Sequence, residues 1–118
     1  LGCGTAEFLF RAEKQGAGKL VGYELSPLIC CYAQLKARIK KSRVDIKCKN
    51  FFKADFTDAD ILYLFLVEKI VQDAWQKIKQ EARPGTVVVV LNDEIKNTTP
   101  EKVISFDKSD AKIRFYRV

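Results

Sequence analysis

The sequence predicts an α/β domain built on a doubly wound, mostly parallel sheet, and three observations lead to it. Apolar segments with strand character alternate with segments of helical period along nearly the whole chain, as expected where helices cross over between parallel strands. Two strand segments, Asp60–Leu66 (DILYLFL) and Thr86–Leu91 (TVVVVL), are continuous apolar runs, the pattern of strands covered on both faces. The chain also opens on a glycine turn, Leu1-Gly2-Cys3-Gly4, that leads straight into a helical segment.

Taken in order, Ala6–Gln15 (AEFLFRAEKQ) suits a helix that Gly16 can end with a left-handed cap. Lys19–Leu25 (KLVGYEL) is short, rich in apolar residues and bounded by a glycine turn, which predicts a buried strand. Ser26-Pro27 is a strong helix start, since serine caps orphan amides and proline is tolerated in the first turn. Behind it Leu28, Cys31, Tyr32, Leu35 and Ile39 fall at i, i+3, i+4, i+7 and i+11, one apolar stripe of a helix running to about Lys40. After a polar loop around Ser42, Val44–Cys48 alternates with the period of a half-buried strand. Beyond Asp60–Leu66 the period turns helical again, with Val67, Ile70, Val71, Ala74, Trp75 and Ile78 in an unbroken stripe. Arg83-Pro84-Gly85 breaks the chain before Thr86–Leu91. Lys102–Phe106 and Lys112–Val118 are expected as a terminal antiparallel strand pair with its turn at Lys108–Asp110.

Residues 1–118 are read as a single domain, and 47% hydrophobic with 31% charged residues is the composition of an ordinary globule. Leu1 stands against the glycine turn with no strand before it, and the chain has no methionine, so the domain is expected to lack its first strand and to be incomplete at its N-terminus. The longest apolar run, Ile61–Val67, is far too short to span a bilayer, and there is no signal-peptide pattern, so a cytoplasmic location is expected. Cys3, Cys30, Cys31 and Cys48 show no C-x-x-C spacing, and the chain has no histidine, which leaves no Cys/His metal site. These cysteines are expected as reduced, mostly buried small side chains. Charge is uneven: Lys36–Lys53 holds eight basic residues against the single acid Asp45, a local +7 in a chain of net +6. Such a segment is either a solvated helix end and strand edge or a footprint for a phosphate backbone.

In sheets of this kind a ligand lies beyond the carboxyl ends of the strands. Three such ends carry suitable residues. Gly2 and Gly4 let the backbone turn sharply and approach a ligand with no Cβ in the way. Glu24, twenty residues after Gly4, can accept both hydroxyls of a ribose. At the third end stands Asn50, followed by Phe51 and Phe52, where an amide can read an adenine edge and a ring can pack on the adenine face. Together they predict an adenosine ligand. A dinucleotide loop needs a third glycine where amides meet the pyrophosphate. The sixth position from Gly2 is Glu7, which would repel that group, so the loop favours the phosphate-free sulfonium S-adenosylmethionine (SAM).

Leu1–Glu7 resembles the end of motif I of the class I, Rossmann-like SAM-dependent methyltransferases, usually an acid followed by G-x-G-x-G, and the likeness in strand order covers essentially the whole chain. The third motif glycine is here Ala6, and the motif's acid would fall before Leu1. The resemblance implies that Gly2, Cys3 and Gly4 line the methionine part of SAM, that Glu24 with its neighbour Leu25 holds the ribose, and that Asn50 with Phe51 flanks the adenine. More narrowly, GYELSP, KNFFKADFTDADILYLFLVEKIV and ARPGTVVVV are similar to protein lysine methyltransferases acting on an ATP synthase c-subunit or a nucleotide translocase. The Asn/Asp-Pro-Pro-Tyr signature of many nucleic-acid methylases is absent, the positions reading Leu66-Val67-Glu68-Lys69.

Methyl transfer from a sulfonium is a direct displacement that needs no metal and no covalent nucleophile, so alignment is most of the work. The expected function is therefore SAM-dependent methyl transfer, with a protein lysine as acceptor and no catalytic residue assigned. Two alternatives stay open: RNA methylation through the basic segment 36–53, and a non-catalytic SAM-fold binding module. Glu68 can face an acceptor or serve as an exposed first-turn acid favoured by the helix dipole.

Overall fold

The computed structural model describes residues 1–118 throughout, and the chain divides into two compact units, Leu1–Lys53 and Ala54–Val118. The first holds α1 (Glu7–Lys14), β1 (Val21–Tyr23), α2 (Pro27–Ile39), β2 (Asp45–Lys47) and a 3-10 turn at Phe51–Lys53. The second holds β3 (Ile61–Leu64), α3 (Glu68–Glu81), β4 (Val87–Leu91), β5 (Lys102–Phe106) and β6 (Ser109–Arg117).

In the first unit β1 and β2 pair in parallel, Val21 opposite Asp45 and Tyr23 opposite Lys47, with α2 as the crossover between them. The core consists of Ala6, Phe10, Cys30, Ala33, Ala37, Val44 and Ile46, with Cys3, Leu9 and Leu20 packed against it. Gly22 is needed for close approach: a Cβ there would lie 2.6 Å from Leu9 Cδ1 and 2.9 Å from Cys3 Sγ. The loop after α2 is tied down by Glu13, whose carboxylate accepts hydrogen bonds from Ser42 Oγ at 2.6 Å and Arg43 N at 2.7 Å.

Two expectations are corrected in this unit. The stripe Leu28, Cys31, Tyr32, Leu35 and Ile39 lies on the outer face of α2, with Leu28 85% and Ile39 73% exposed, while the buried face is Cys30, Ala33 and Ala37. Small side chains let the helix sit close to the strands, and Gln34 on its flank donates to the Ile46 carbonyl of β2 at 2.9 Å. The cysteines are not all reduced: Cys30 and Cys48 form a disulfide, joining the first turn of α2 to the residue after β2. Cys31 is free and exposed, and Cys3 is free and half-buried.

In the second unit the strand order is β3-β4-β6-β5. β3 and β4 are parallel, Ile61 opposite Val87, whereas β4–β6 and β5–β6 are antiparallel, which bears out the expected terminal pair. The two apolar runs are less completely covered than their composition suggests. Leu62, Leu64, Val88 and Val90 are buried, Val87 and Val89 are half-buried, and Ile61 is exposed. The last strand also begins earlier, at Ser109, so the turn falls just before it. α3 buries Val71, Ala74, Trp75 and Ile78 at helical spacing, while Val67 stands outside as its exposed N-cap residue.

Thr86, 1% exposed, closes one end of the unit by donating its hydroxyl to the Ala59 carbonyl at 2.8 Å. At the other, the Tyr116 hydroxyl accepts the Ile95 N–H at 3.0 Å, both residues being buried. Tyr116→Phe keeps the ring against Trp75 but orphans that buried N–H, at a cost of about 1–3 kcal/mol. Urea unfolding of the variant should show a lower midpoint with an unchanged slope.

Candidate functional site

The glycine turn, Glu24 and the Asn50 segment all belong to the first unit, and the end of β1 brings them together. On one side Cys3 N donates to the Tyr23 carbonyl at 2.9 Å, and on the other Glu24 N donates to the Lys47 carbonyl at 3.1 Å. The turn and the end of β2 are thereby docked on opposite edges of one strand end.

The turn itself requires positive φ at Gly2 (64°) and Gly4 (53°), a backbone region that a Cβ disfavours. Ala6 also takes it (φ 64°), with its methyl buried in the core, so the alanine in the third motif position adopts the backbone of a glycine. The open side of the turn is clear: a Cβ on Gly4 would meet nothing within 4 Å.

Glu24 joins the turn to α2. Its Oε2 accepts the Gly4 N–H at 2.8 Å and its Oε1 accepts the Ser26 N–H at 3.0 Å. A carboxylate offers about four acceptor positions, so each oxygen retains capacity for a further donor. Beside it Leu25 is 69% exposed, an apolar side chain at a strand end. Asn50 folds onto its own turn, its Oδ1 accepting Phe52 N at 3.0 Å and its carbonyl accepting Lys53 N at 3.1 Å, so its NH₂ group is left to donate outward. Phe51 is buried and packs on Phe52 with ring centroids 4.4 Å apart, which leaves Phe52 the more exposed ring. The donation from Ser26 N to Glu24 is a contact that the sequence analysis does not anticipate. The acid at i and amide at i+2 spacing is the available signal for it.

Glu68 belongs to the second unit. At the start of α3, it pairs with Lys96 at 2.6 Å, and that hydrogen-bonded carboxylate raises the Lys96 ammonium above its ordinary range. The loop carrying Lys96 is held on α3 by Gln72, which accepts Lys96 N at 3.0 Å and donates to the Glu94 carbonyl at 2.7 Å. In the basic segment, three of the eight cations already face acids: Lys36 with Glu7, Arg43 with Glu13 and Lys47 with Asp45. No cluster of three or more His, Cys, Asp or Glu side chains is placed to hold a metal ion, and no helix is long and apolar enough to cross a membrane.

The class is that of the Rossmann-like methyltransferase fold. An RNA methyltransferase from Salinibacter ruber, solved in complex with S-adenosyl-L-homocysteine, superposes with a TM-score of 0.91 at 20% identity, over 98% of this chain and 76% of that one. A ribosomal protein L11 methylase from Lactobacillus delbrueckii subsp. bulgaricus gives 0.79 at 12% identity, over 98% and 67%. At these identities the likeness is one of fold. By sequence, the ANTKMT methyltransferase domain model matches residues 1–102, and the chain belongs to that family. It is 29% identical over 110 residues to a protein-lysine N-methyltransferase of Saccharolobus islandicus (strain REY15A), spanning 91% of this chain and 68% of that protein. The protein is thus a class I methyltransferase, an enzyme whose methyl donor is SAM.

Burial pushes the Cys3 thiol above its ordinary range, and the neighbouring Glu24 carboxylate acts in the same direction. The Cys3 thiol is therefore held in its neutral, less reactive form at physiological pH, the thiolate being the nucleophile. With iodoacetamide at pH 8, mass spectrometry should find Cys31 alkylated well before Cys3, and the Cys3 rate should still be rising above pH 9.

Proposed function

We infer that the chain transfers the SAM methyl group to a lysine side chain of a protein, and that Gly2, Cys3, Gly4, Glu24, Leu25, Asn50 and Phe51 hold the cofactor. The observation that carries the site is the Glu24 carboxylate, fixed by two backbone N–H groups with acceptor capacity to spare. What carries the acceptor is the family match together with the Saccharolobus islandicus relative, whose own name is protein-lysine N-methyltransferase.

The residues present fit the cofactor by their chemistry. Glu24 would accept the ribose hydroxyls with the lone pairs its amide partners leave unused. Gly2 and Gly4 present backbone without side chains beside the methionine portion, and the neutral Cys3 adds no charge there. Leu25 offers an apolar surface to the nucleoside and the Asn50 NH₂ a donor to the adenine edge, with Phe51 supporting that loop from inside. Bound SAM supplies a methyl group made electrophilic by its sulfonium charge. The protein contributes alignment and exclusion of water, and a lysine acceptor must reach the site as the neutral amine. RNA is the weaker reading, because acids within the fold already occupy part of the basic segment.

Two measurements test this. Glu24→Ala should weaken SAM binding by calorimetry on the order of ten- to a hundredfold, the value of one or two hydrogen bonds to a charged acceptor. Glu24→Gln, which keeps an acceptor oxygen without the charge, should fall between the variant and the wild type. Unchanged affinity in both, with circular dichroism showing folded protein, removes Glu24 from the site. For the acceptor, methyl-labelled SAM should place label in methyl-lysine after acid hydrolysis of a treated protein mixture; label recovered in RNA instead overturns the lysine assignment.

A further inference from the structure

We propose that the Cys30–Cys48 disulfide is a redox-sensitive positioning element of the cofactor site, so that SAM affinity follows the oxidation state of this pair. The inference rests on the site assignment above and adds its regulation. The parallel ladder ends at the pairing of Tyr23 with Lys47, and the next residue, Cys48, is bonded to Cys30. Two residues further stands Asn50, whose own turn carries Phe51 and Phe52. Cys30 lies in the first turn of α2, its N–H donating to the Ser26 carbonyl at 2.9 Å, while Ser26 N donates to Glu24. One covalent bond therefore fixes the adenine-side segment against the helix turn that helps to orient the ribose-binding acid. Its two ends differ in access: Cys30 is fully buried and Cys48 is exposed.

That asymmetry sets the chemistry. A thiolate of a dithiol reductant attacks the sulfur of the more exposed residue, Cys48, breaking the Cys30–Cys48 bond and releasing Cys30 as a thiolate that takes up a proton. The second thiol of the reductant then displaces Cys48 from the mixed disulfide. Two electrons and two protons pass to the cysteine pair, and the reductant leaves as a cyclic disulfide. With the bond open, the segment from Cys48 to Lys53 keeps its own turn and the burial of Phe51 but loses its covalent tie to α2, and binding must then order it. Linkage makes the coupling reciprocal: whatever factor reduction costs in cofactor affinity, bound cofactor returns as resistance to reduction.

The test uses the whole 118-residue chain, with S-adenosylhomocysteine as the probe. Calorimetry on oxidised and dithiothreitol-reduced protein should show affinity at least about fivefold weaker in the reduced form, the lower end of typical coupling between sites. A titration against mixtures of oxidised and reduced dithiothreitol, read by mass-tagging of free thiols, should require a more reducing mixture by the same factor when the probe is present. Cys48→Ser should bind like the reduced wild type and lose the redox response, and Cys31→Ser should keep it; Cys30→Ala serves if the serine variant fails to fold. Equal affinities in the two states, or a reduction midpoint unmoved by the probe, overturn the inference while leaving the site assignment intact. No binding in either state removes both.

Discussion

A single carboxylate organises the first half of this protein. Glu24 sits at the end of β1 and spends one oxygen on the Gly4 N–H and the other on the Ser26 N–H, so that it links the glycine turn, the strand and the start of α2. Two otherwise orphan backbone donors find a charged acceptor, which is among the stronger uses of a surface-proximal hydrogen bond. The positive φ of Gly4 aims its N–H at that acceptor, and the Cys3–Tyr23 and Glu24–Lys47 backbone bonds fix what lies on either edge. Segments far apart in the chain are thereby locked to one strand end.

Close approach is the second constraint, and it explains where large and small side chains go. Gly22 faces Leu9 and Cys3 at distances that leave no room for a methyl group, and α2 turns Cys30, Ala33 and Ala37 inward. Packing at native density rewards small residues wherever backbone elements nearly touch. The larger apolar residues of α2 are consequently left on its outer face, while the partly covered Lys36, paired with Glu7, lies over the Phe10 and Tyr32 rings.

The second unit is held by a different device. Its buried strand residues alternate, α3 covers them with Val71, Ala74, Trp75 and Ile78, and single hydrogen bonds from Thr86 and to Tyr116 close polar groups that burial would otherwise strand. Around the loop after β4, Arg114 donates to the Asp93 carbonyl at 2.9 Å and Gln72 holds Glu94 and Lys96. That loop is thus pinned by side chains from both a helix and a strand.

The sequence by itself determined the order and type of nearly every element, because hydrophobic period, glycine and proline placement are local signals, and the family resemblance lay in short contiguous motifs such as Leu1–Glu7 and GYELSP. It also placed Glu24 and Asn50 just beyond strands, which is a matter of counting along the chain. Only the tertiary structure decided which face of α2 is buried, since small residues win that face through close contact with strands distant in sequence. Likewise, it alone decided that Cys30 pairs with Cys48, that Phe52 rather than Phe51 is the exposed ring, and that Glu68 is taken up by Lys96. Each of these depends on distances between residues separated along the chain, and no local period encodes such distances.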